Sequence, residues 1–398
     1  MSASDEEDDA APQLVDLPGI SAGEMQKASF AASSSSRTPI PVTILTGFLG
    51  SGKTTLLNYL LTENHGKRIA IIENEFSEGL GIEKMIAKSG VDGSNFSEGF
   101  FELNNGCICC TVKSDLLNTL EQLVLHKHKF DYVIIETTGV SNPGPIVSTF
   151  WVDKELESSL YIDGVVCVVD SLNVLSYLVA EETSNDVKVQ ICYADRVLMN
   201  KADLVTDECL LQVEGEIRSI NSICQIVSTN YSKIRPDLVL DINSFNMEDV
   251  LDVKLDHINN NNLSNGMTGV LCEPVNSRSR HAADALMTQS VEFDGEVDLP
   301  SVRRFLDKIL YANASKSPHG GGGGMQIYRM KGALLVEGSA QVHVLQAVHD
   351  IFDVQPSSHA RSSPADCTEG RNRVIMIGKS LDAAAMLDGL RACVVGRL

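Results

Sequence analysis

The stretch Gly47-Phe-Leu-Gly-Ser-Gly-Lys-Thr54 constrains this chain more than any other, because it dictates a backbone path and the elements on either side of it. It has the form G-x-x-x-x-G-K-[ST], directly follows an apolar run, Val42–Thr46, and opens a helical stretch, Thr54–Leu61. A glycine-rich turn between a buried strand and a helix lets backbone N–H groups close around phosphate oxygens, with the positive end of the helix behind them. Gly47, Phe48, Leu49, Gly50, Ser51 and Gly52 therefore read as a phosphate cradle. Lys53 reads as the cation that reaches the β- and γ-phosphates, and Thr54 as a hydroxyl ligand for Mg²⁺. A chance glycine-rich turn would explain neither Lys53-Thr-Thr55 nor both flanks.

Further apolar runs follow at Arg68–Ile72, Tyr132–Ile135, Val165–Val169 and Arg196–Met199. They are rich in Ile and Val and lack alternation, the pattern of strands buried on both faces. Helical stretches lie between them, among them Ser114–Leu125 with Leu116, Leu117, Leu120, Leu123 and Val124 on one stripe. The expected fold is α/β: a P-loop NTPase with a doubly wound, mostly parallel sheet and its site at the strands' C-terminal ends. A smaller α+β domain follows. It is built from strands at Gln289–Phe293, around Gln326–Met330, at Leu334–Glu337 and at Val374–Ile377, with helices at Leu299–Leu310 and from Leu381. Gly320–Gly324 reads as a loop within it. The boundaries are a disordered acidic tail at 1–38, the nucleotide domain at 39–256, an Asn-rich linker or loop at 257–287 and the second domain at 288–398.

Two strand ends carry further chemistry. Asn200-Lys-Ala-Asp203 follows the run Arg196–Met199, and a carboxylate there can accept both hydrogens from guanine N1 and N2, a pair that adenine does not offer. Asn200, Lys201, Ala202 and Asp203 thus favour GTP over ATP. Tyr132-Val-Ile-Ile-Glu-Thr-Thr-Gly139 ends a buried strand in an acid and then a glycine. Glu136 is expected near Mg²⁺ or its waters and Gly139 close to the γ-phosphate, unless Glu136 is a plain strand-end acid. No residue stands out as activator of the attacking water.

Of the ten cysteines, Cys107, Cys109 and Cys110 crowd into Asn104-Asn-Gly-Cys-Ile-Cys-Cys-Thr111, and the rest are scattered singly. A disulfide scaffold would be short, secreted and evenly spaced, so the chain is expected in a reducing compartment, cytoplasm or nucleus. Thiolates are soft ligands for zinc, and a closed structural site wants four of them, usually as two separated pairs. Three thiolates in one turn suit an exchangeable site; a redox set or buried structural cysteines stay open. Glu75, near Glu73 and Glu78, is a further possible zinc ligand. The net charge is −21, and no Lys/Arg-rich block occurs. That excludes nucleic acid and anionic membranes as natural partners, and no apolar run approaches the ~20 residues of a transmembrane helix.

Gly47–Thr54, Glu73-Asn-Glu-Phe76, Gly106-Cys-Ile-Cys-Cys110, Glu136-Thr-Thr-Gly139, Asn142-Pro-Gly144 and Asn200–Asp203 together resemble the CobW-type metallochaperone GTPases, most of all the eukaryotic zinc-regulated GTPase metalloprotein activators. The C-terminal half matches more loosely through Tyr328-Arg-Met-Lys-Gly332, Val348–Asp353 and Ile377–Asp382. The resemblance implies GTP hydrolysis, with GTP, Mg²⁺ and Zn²⁺ bound and zinc held by Cys107, Cys109 and Cys110. It further implies delivery of zinc to a client apo-metalloprotein, type 1 methionine aminopeptidase. The family's docking peptide, roughly Cys-Pro-x-Leu-Val-Pro, corresponds here to Ala11-Pro-Gln-Leu-Val-Asp16, which retains Pro12, Leu14 and Val15. His349 matches a family histidine; read as lying on a helix, it is expected to serve packing. A regulatory GTPase with a structural zinc, or an insertion chaperone for cobalt or iron, are the alternative readings.

Overall fold

The apolar runs become strands of one sheet because β-branched segments without a polar side need cover on both faces. The computed structural model of the protein describes residues 39–73, 84–89, 101–102, 112–125, 129–152, 159–244, 286–314, 325–360 and 371–396. Its first sheet contains β1 (Ile40–Thr46), β2 (Arg68–Glu73), β3 (Lys84–Ser89), β4 (Phe101–Glu102), β5 (Tyr132–Glu136), β6 (Leu160–Asp170), β7 (Arg196–Asn200) and β8 (Gln225–Ser228). The order is β4-β3-β2-β5-β1-β6-β7-β8. From β2 to β8 every pairing is parallel, while β3 and β4 extend the β2 edge antiparallel. β3, β4 and β8 are not marked by apolar runs in the sequence; β8 is a half-covered edge and β4 has two residues. Pro41 is tolerated in the central strand β1 because a register shift follows at Val42/Thr43.

The helices are α1 (Lys53–Thr62), α2 (Val112–Leu125), α3 (Gly144–Val152), α4 (Val174–Val179), α5 (Ser184–Tyr193) and α6 (Asp207–Ile220). They cover both faces. Leu56, Leu57 and Leu60 of α1 pack on Leu45, Ile71, Ile134 and Val168. On the opposite face, Leu116, Leu120 and Leu123 of α2 and Val187 and Ile191 of α5 join Ile44, Ile72, Ile135 and Val169. Neighbouring strand residues such as Ile44 and Leu45 thus serve opposite cores, as the pleat requires.

The second sheet holds β9 (Met287–Asp294), β10 (Gln326–Leu335), β11 (Gln341–Val348), β12 (Ile351–Ala360) and β13 (Arg371–Lys379), in the antiparallel order β12-β11-β10-β13-β9. α7 (Leu299–Ala314) and α8 (Ala383–Arg391) cover one face through Val302, Leu306, Leu310, Met386 and Leu390. Two expectations are corrected. The strands expected around Gln326–Met330 and at Leu334–Glu337 are one, β10, because Lys331 and Gly332 continue the ladder with β11 and β13. His349 is not on a helix; it sits with Asp350 in the turn between β11 and β12, at φ +55°. Val348 and Ile377 reach into the core of the first sheet. No helix among the described residues is long and apolar enough to cross a membrane. The tail with Pro12, Leu14 and Val15, Glu75, the triad Cys107, Cys109 and Cys110, the stretch 257–285 and Gly320–Gly324 lie outside the described residues.

Candidate functional site

The turn after β1 can be made only from these residue types. Gly47 has φ +140°, and a Cβ there would lie 2.2 Å from the Val168 carbonyl oxygen on β6. Gly52 has φ +110°, and a Cβ would lie 2.3 Å from Asn200 Nδ2. α1 begins at Lys53 with no side-chain cap, whereas α6 is capped by the Thr206 hydroxyl. Uncapped N–H groups at a helix start are anion ligands in waiting. Lys53 Nζ is buried in the loop and donates to the Gly47 and Phe48 carbonyls at 2.7 and 3.3 Å. Burial draws its pKa below the ordinary lysine value, and the Glu136 carboxylate opposes that pull.

Thr54 is exposed, and its Oγ1 donates to Glu136 Oε1 at 3.4 Å. A hydroxyl and a carboxylate at this spacing form a hard oxygen corner of the kind that suits Mg²⁺. Beyond Glu136, Thr137 is fixed by its N–H to the Leu45 carbonyl at 2.9 Å and its Oγ1 to Thr46 Oγ1 at 3.0 Å. Gly139 is pressed against the phosphate loop; a Cβ would lie 2.4 Å from the Leu49 side chain. Its carbonyl accepts from Gln190 Nε2 of α5 at 2.9 Å, and that of Ser141 does so at 3.3 Å.

At the end of β7, Asn200 is buried, and its amide braces two loops. Nδ2 donates to the Ser51 carbonyl at 2.8 Å, and Oδ1 accepts from Ser232 N at 2.8 Å. Ser232 Oγ in turn donates to the Gly52 carbonyl at 3.0 Å. Asn200 therefore ties the phosphate loop to the loop that carries Ser232. Lys201 takes φ +60° and donates from Nζ to the buried Asp170 at 2.7 Å. Ala202 N donates to the Thr229 carbonyl at 3.2 Å, and Asp203 stands exposed in the short turn Ala202–Leu204. Phosphate loop, Thr54, Glu136, Gly139 and Asn200–Asp203 thus meet at one edge of the sheet.

Three residues of this edge escape a reading by motif. Asp170 ends an apolar strand as Glu136 does, which is a usable signal. Gln190 is a lone amide within the apolar run Val187–Tyr193, a weaker signal. Ser232 has none. Burial pushes the Cys167 and Cys224 thiols up to about 12, so neither offers a thiolate at neutral pH. Among the described residues no cluster of three or more His, Cys, Asp or Glu side chains could hold a metal.

The family profile of the CobW/HypB/UreG nucleotide-binding domain matches residues 41–228. That of the cobalamin synthesis protein cobW C-terminal domain matches residues 287–394. The chain is 32% identical over 348 residues to zinc-regulated GTPase metalloprotein activator 1 of Schizosaccharomyces pombe, covering 86% of this chain and 83% of that one. The protein of the same name from Saccharomyces cerevisiae is 31% identical over 378 residues, covering 88% and 83%. The crystal structure of Zn(II)-bound YjiA GTPase from E. coli has the same fold, with a TM-score of 0.60 at 24% identity over 90% of this chain and 99% of that one. With both profiles matched in order and relatives alike over most of their length, this chain belongs to the CobW family, a CobW/HypB/UreG nucleotide-binding domain followed by a CobW C-terminal domain.

Proposed function

We propose that this protein is a GTPase that couples nucleotide hydrolysis to the transfer of zinc into a client metalloprotein. Relatives named zinc-regulated GTPase metalloprotein activator 1 and zinc chaperone support the reading. The observation that carries it is a row of strand positions. Glu136 on β5 pairs with Glu73 on β2, Glu73 with Lys84 on β3, and Lys84 with Glu102 on β4. Strands lie about 4.8 Å apart, so this row spans roughly 14 Å from the magnesium corner to the end of β4. Cys107 follows Glu102 by five residues, and Cys110 precedes the start of α2 by two. Five residues, at most about 18 Å of chain, separate Cys107 from the end of that row.

In the nucleotide-bound protein the cradle Gly47–Gly52 donates its N–H groups to phosphate oxygens, and Lys53 exchanges its loop carbonyls for the β- and γ-phosphates. Thr54 and Glu136 would hold Mg²⁺ at this corner, where it would supply positive charge against the phosphates. Gly139, having no side chain, lets the loop after β5 approach the γ-phosphate closely. Hydrolysis removes that contact, and the loop relaxes. Relaxation at this edge loosens the thiolate site and releases zinc to the docked client. The client is type 1 methionine aminopeptidase, met by Pro12, Leu14 and Val15 of the acidic tail, in a cytoplasmic or nuclear setting. Purified protein should contain zinc, hydrolyse GTP well in excess of ATP and restore metal-dependent activity to the apo-aminopeptidase only with hydrolysable GTP. Equal transfer in GDP would defeat the coupling.

A further inference from the structure

α5 touches the nucleotide edge at one point and the second sheet at several. Gln190 holds the Gly139 and Ser141 carbonyls. One turn later the Tyr193 hydroxyl meets His349 Nε2, and the Tyr193 carbonyl accepts from Arg329 of β10. At the start of the helix, Lys379 of β13 donates to Asn185 Oδ1 at 2.9 Å.

His349 also reaches the same loop directly. A Cβ on Gly144 would lie 2.6 Å from His349 Nε2 and 2.5 Å from the Tyr193 hydroxyl. Gly144 is the first residue of α3 and closes the loop that begins at Thr137; its N–H is held by Asn142 Oδ1 at 2.9 Å. The imidazole therefore caps the far end of the loop whose near end carries Glu136. It stacks within a three-ring cluster, with centroids 5.5 Å from Tyr193 and 5.6 Å from Tyr328. Its backbone sits at φ +55°, fixed by the bond from His349 N to the Tyr328 carbonyl at 3.2 Å. Non-glycine residues seldom keep that conformation unless their surroundings impose it, and such positions gather at functional sites. The buried Gln190 Oε1 has no partner among the described residues. An apolar side chain would escape that cost, so the bonds from Nε2 to the loop are what this amide provides.

We propose that His349 is a positioning residue for GTP hydrolysis: from the second sheet, it holds the loop Thr137–Gly144 against the γ-phosphate by way of Gly144, Tyr193 and Gln190. The proposal rests on the GTPase reading. It gives the second domain a direct hold on the turnover of the first, through side chains that touch no nucleotide.

Two variants of the full chain test it. His349→Asn keeps a residue type that tolerates positive φ but shortens the side chain away from Tyr193 and Gly144. Tyr193→Phe removes one oxygen and leaves the ring. Each should lower kcat for GTP about fivefold or more with KM little changed, the scale of a typical coupling between sites. The double variant should be no worse than the worse single one, because both cut one link. Amide exchange across residues 137–147 should quicken in the nucleotide-free proteins while the melting temperature holds. Unchanged exchange in both variants would overturn the proposal, and so would an unchanged kcat. Exchange needs no nucleotide, so a wild type that hydrolyses no GTP defeats the GTPase reading, while unchanged exchange in the variants defeats this link.

Discussion

At the residue scale the site divides into side chains that face a nucleotide and side chains that hold those in place. We assign Asp203 to the first kind, since it stands exposed just after β7. Asp203→Asn should therefore leave stability unchanged while weakening GTP binding by about 2 kcal/mol through a lost charged hydrogen-bond partner. Preference should move toward xanthine nucleotide, whose base offers the complementary pattern. Titration of both nucleotides with both proteins measures this, and equal affinity of the wild type for ATP and GTP would refute the base assignment. Asn200 belongs to the second kind, which its place in the four-residue motif does not reveal. A motif states which residue types recur together; only the bonds to Ser51 and Ser232 state what this amide is occupied with.

At the scale of elements, the contact between α5–β7 and β10 encloses a buried cluster of charges. Asp195, buried between them, accepts from Arg329, from Lys331 at 3.0 Å and from Val165 N at 3.0 Å. Burial alone would raise its pKa, but Arg329 and Lys331 outweigh that and hold it below the usual carboxylate range. A carboxylate depressed in the folded state stabilises fully above its unfolded pKa and loses that contribution as pH falls through the folded value. The Asp195 contribution should thus persist at neutral pH and fade only below about pH 4. Asp195→Asn puts a neutral amide in place of the carboxylate that two buried cations share and should cost about 3–5 kcal/mol in denaturant unfolding; a loss under about 1 kcal/mol would show that water reaches the cluster.

The docking role proposed for the tail can be tested separately. Deleting residues 1–20 removes the apolar island Pro12-Gln-Leu-Val15 from an acidic segment. Hydrolysis of GTP should be unaffected, and binding to methionine aminopeptidase should be lost. Undiminished client binding by the truncated chain, measured by calorimetry, would take the tail out of the mechanism.

Across the whole molecule, a carrier is distinguished from a switch with a structural metal by linkage. If hydrolysis moves zinc, zinc affinity differs between the GTP and GDP states, and zinc changes the relative affinity for the two nucleotides by the same factor. A transfer cycle calls for roughly 1–3 kcal/mol of such coupling. Competition with a zinc-chelating dye, in a nonhydrolysable GTP analogue and in GDP, reads it directly. Replacing Cys107, Cys109 and Cys110 together by Ser should abolish tight zinc binding and spare GTP binding, since neutral hydroxyls are poor zinc ligands. The same zinc affinity in both states would leave a regulatory GTPase with a structural zinc.

What the sequence determined by itself is local or periodic. The phosphate loop is legible because glycine spacing, a lysine and a strand-to-helix change are all written within a few residues. The parallel strands β1, β2, β5, β6 and β7 are legible because two-sided burial leaves unbroken apolar runs. β10 was harder: Lys331 and Gly332 break its apolar run, yet both lie in the ladder, since Lys331 finds Asp195 from another part of the chain. His349 lies in a turn and not on a helix because the β11–β12 pairing sets its place, and Asp350 beside it is by itself a weak turn signal. The tertiary structure alone decided that Asn200 braces two loops, that Asp170 holds Lys201, and that α5 joins the loop after β5 to the second sheet. Each of these depends on groups far apart in the chain, as in Asp170 to Lys201 at 31 positions, Tyr193 to His349 at 156 and Asn185 to Lys379 at 194. No local pattern encodes such a meeting; it exists only once burial has closed the chain and each enclosed polar group has had to find a partner.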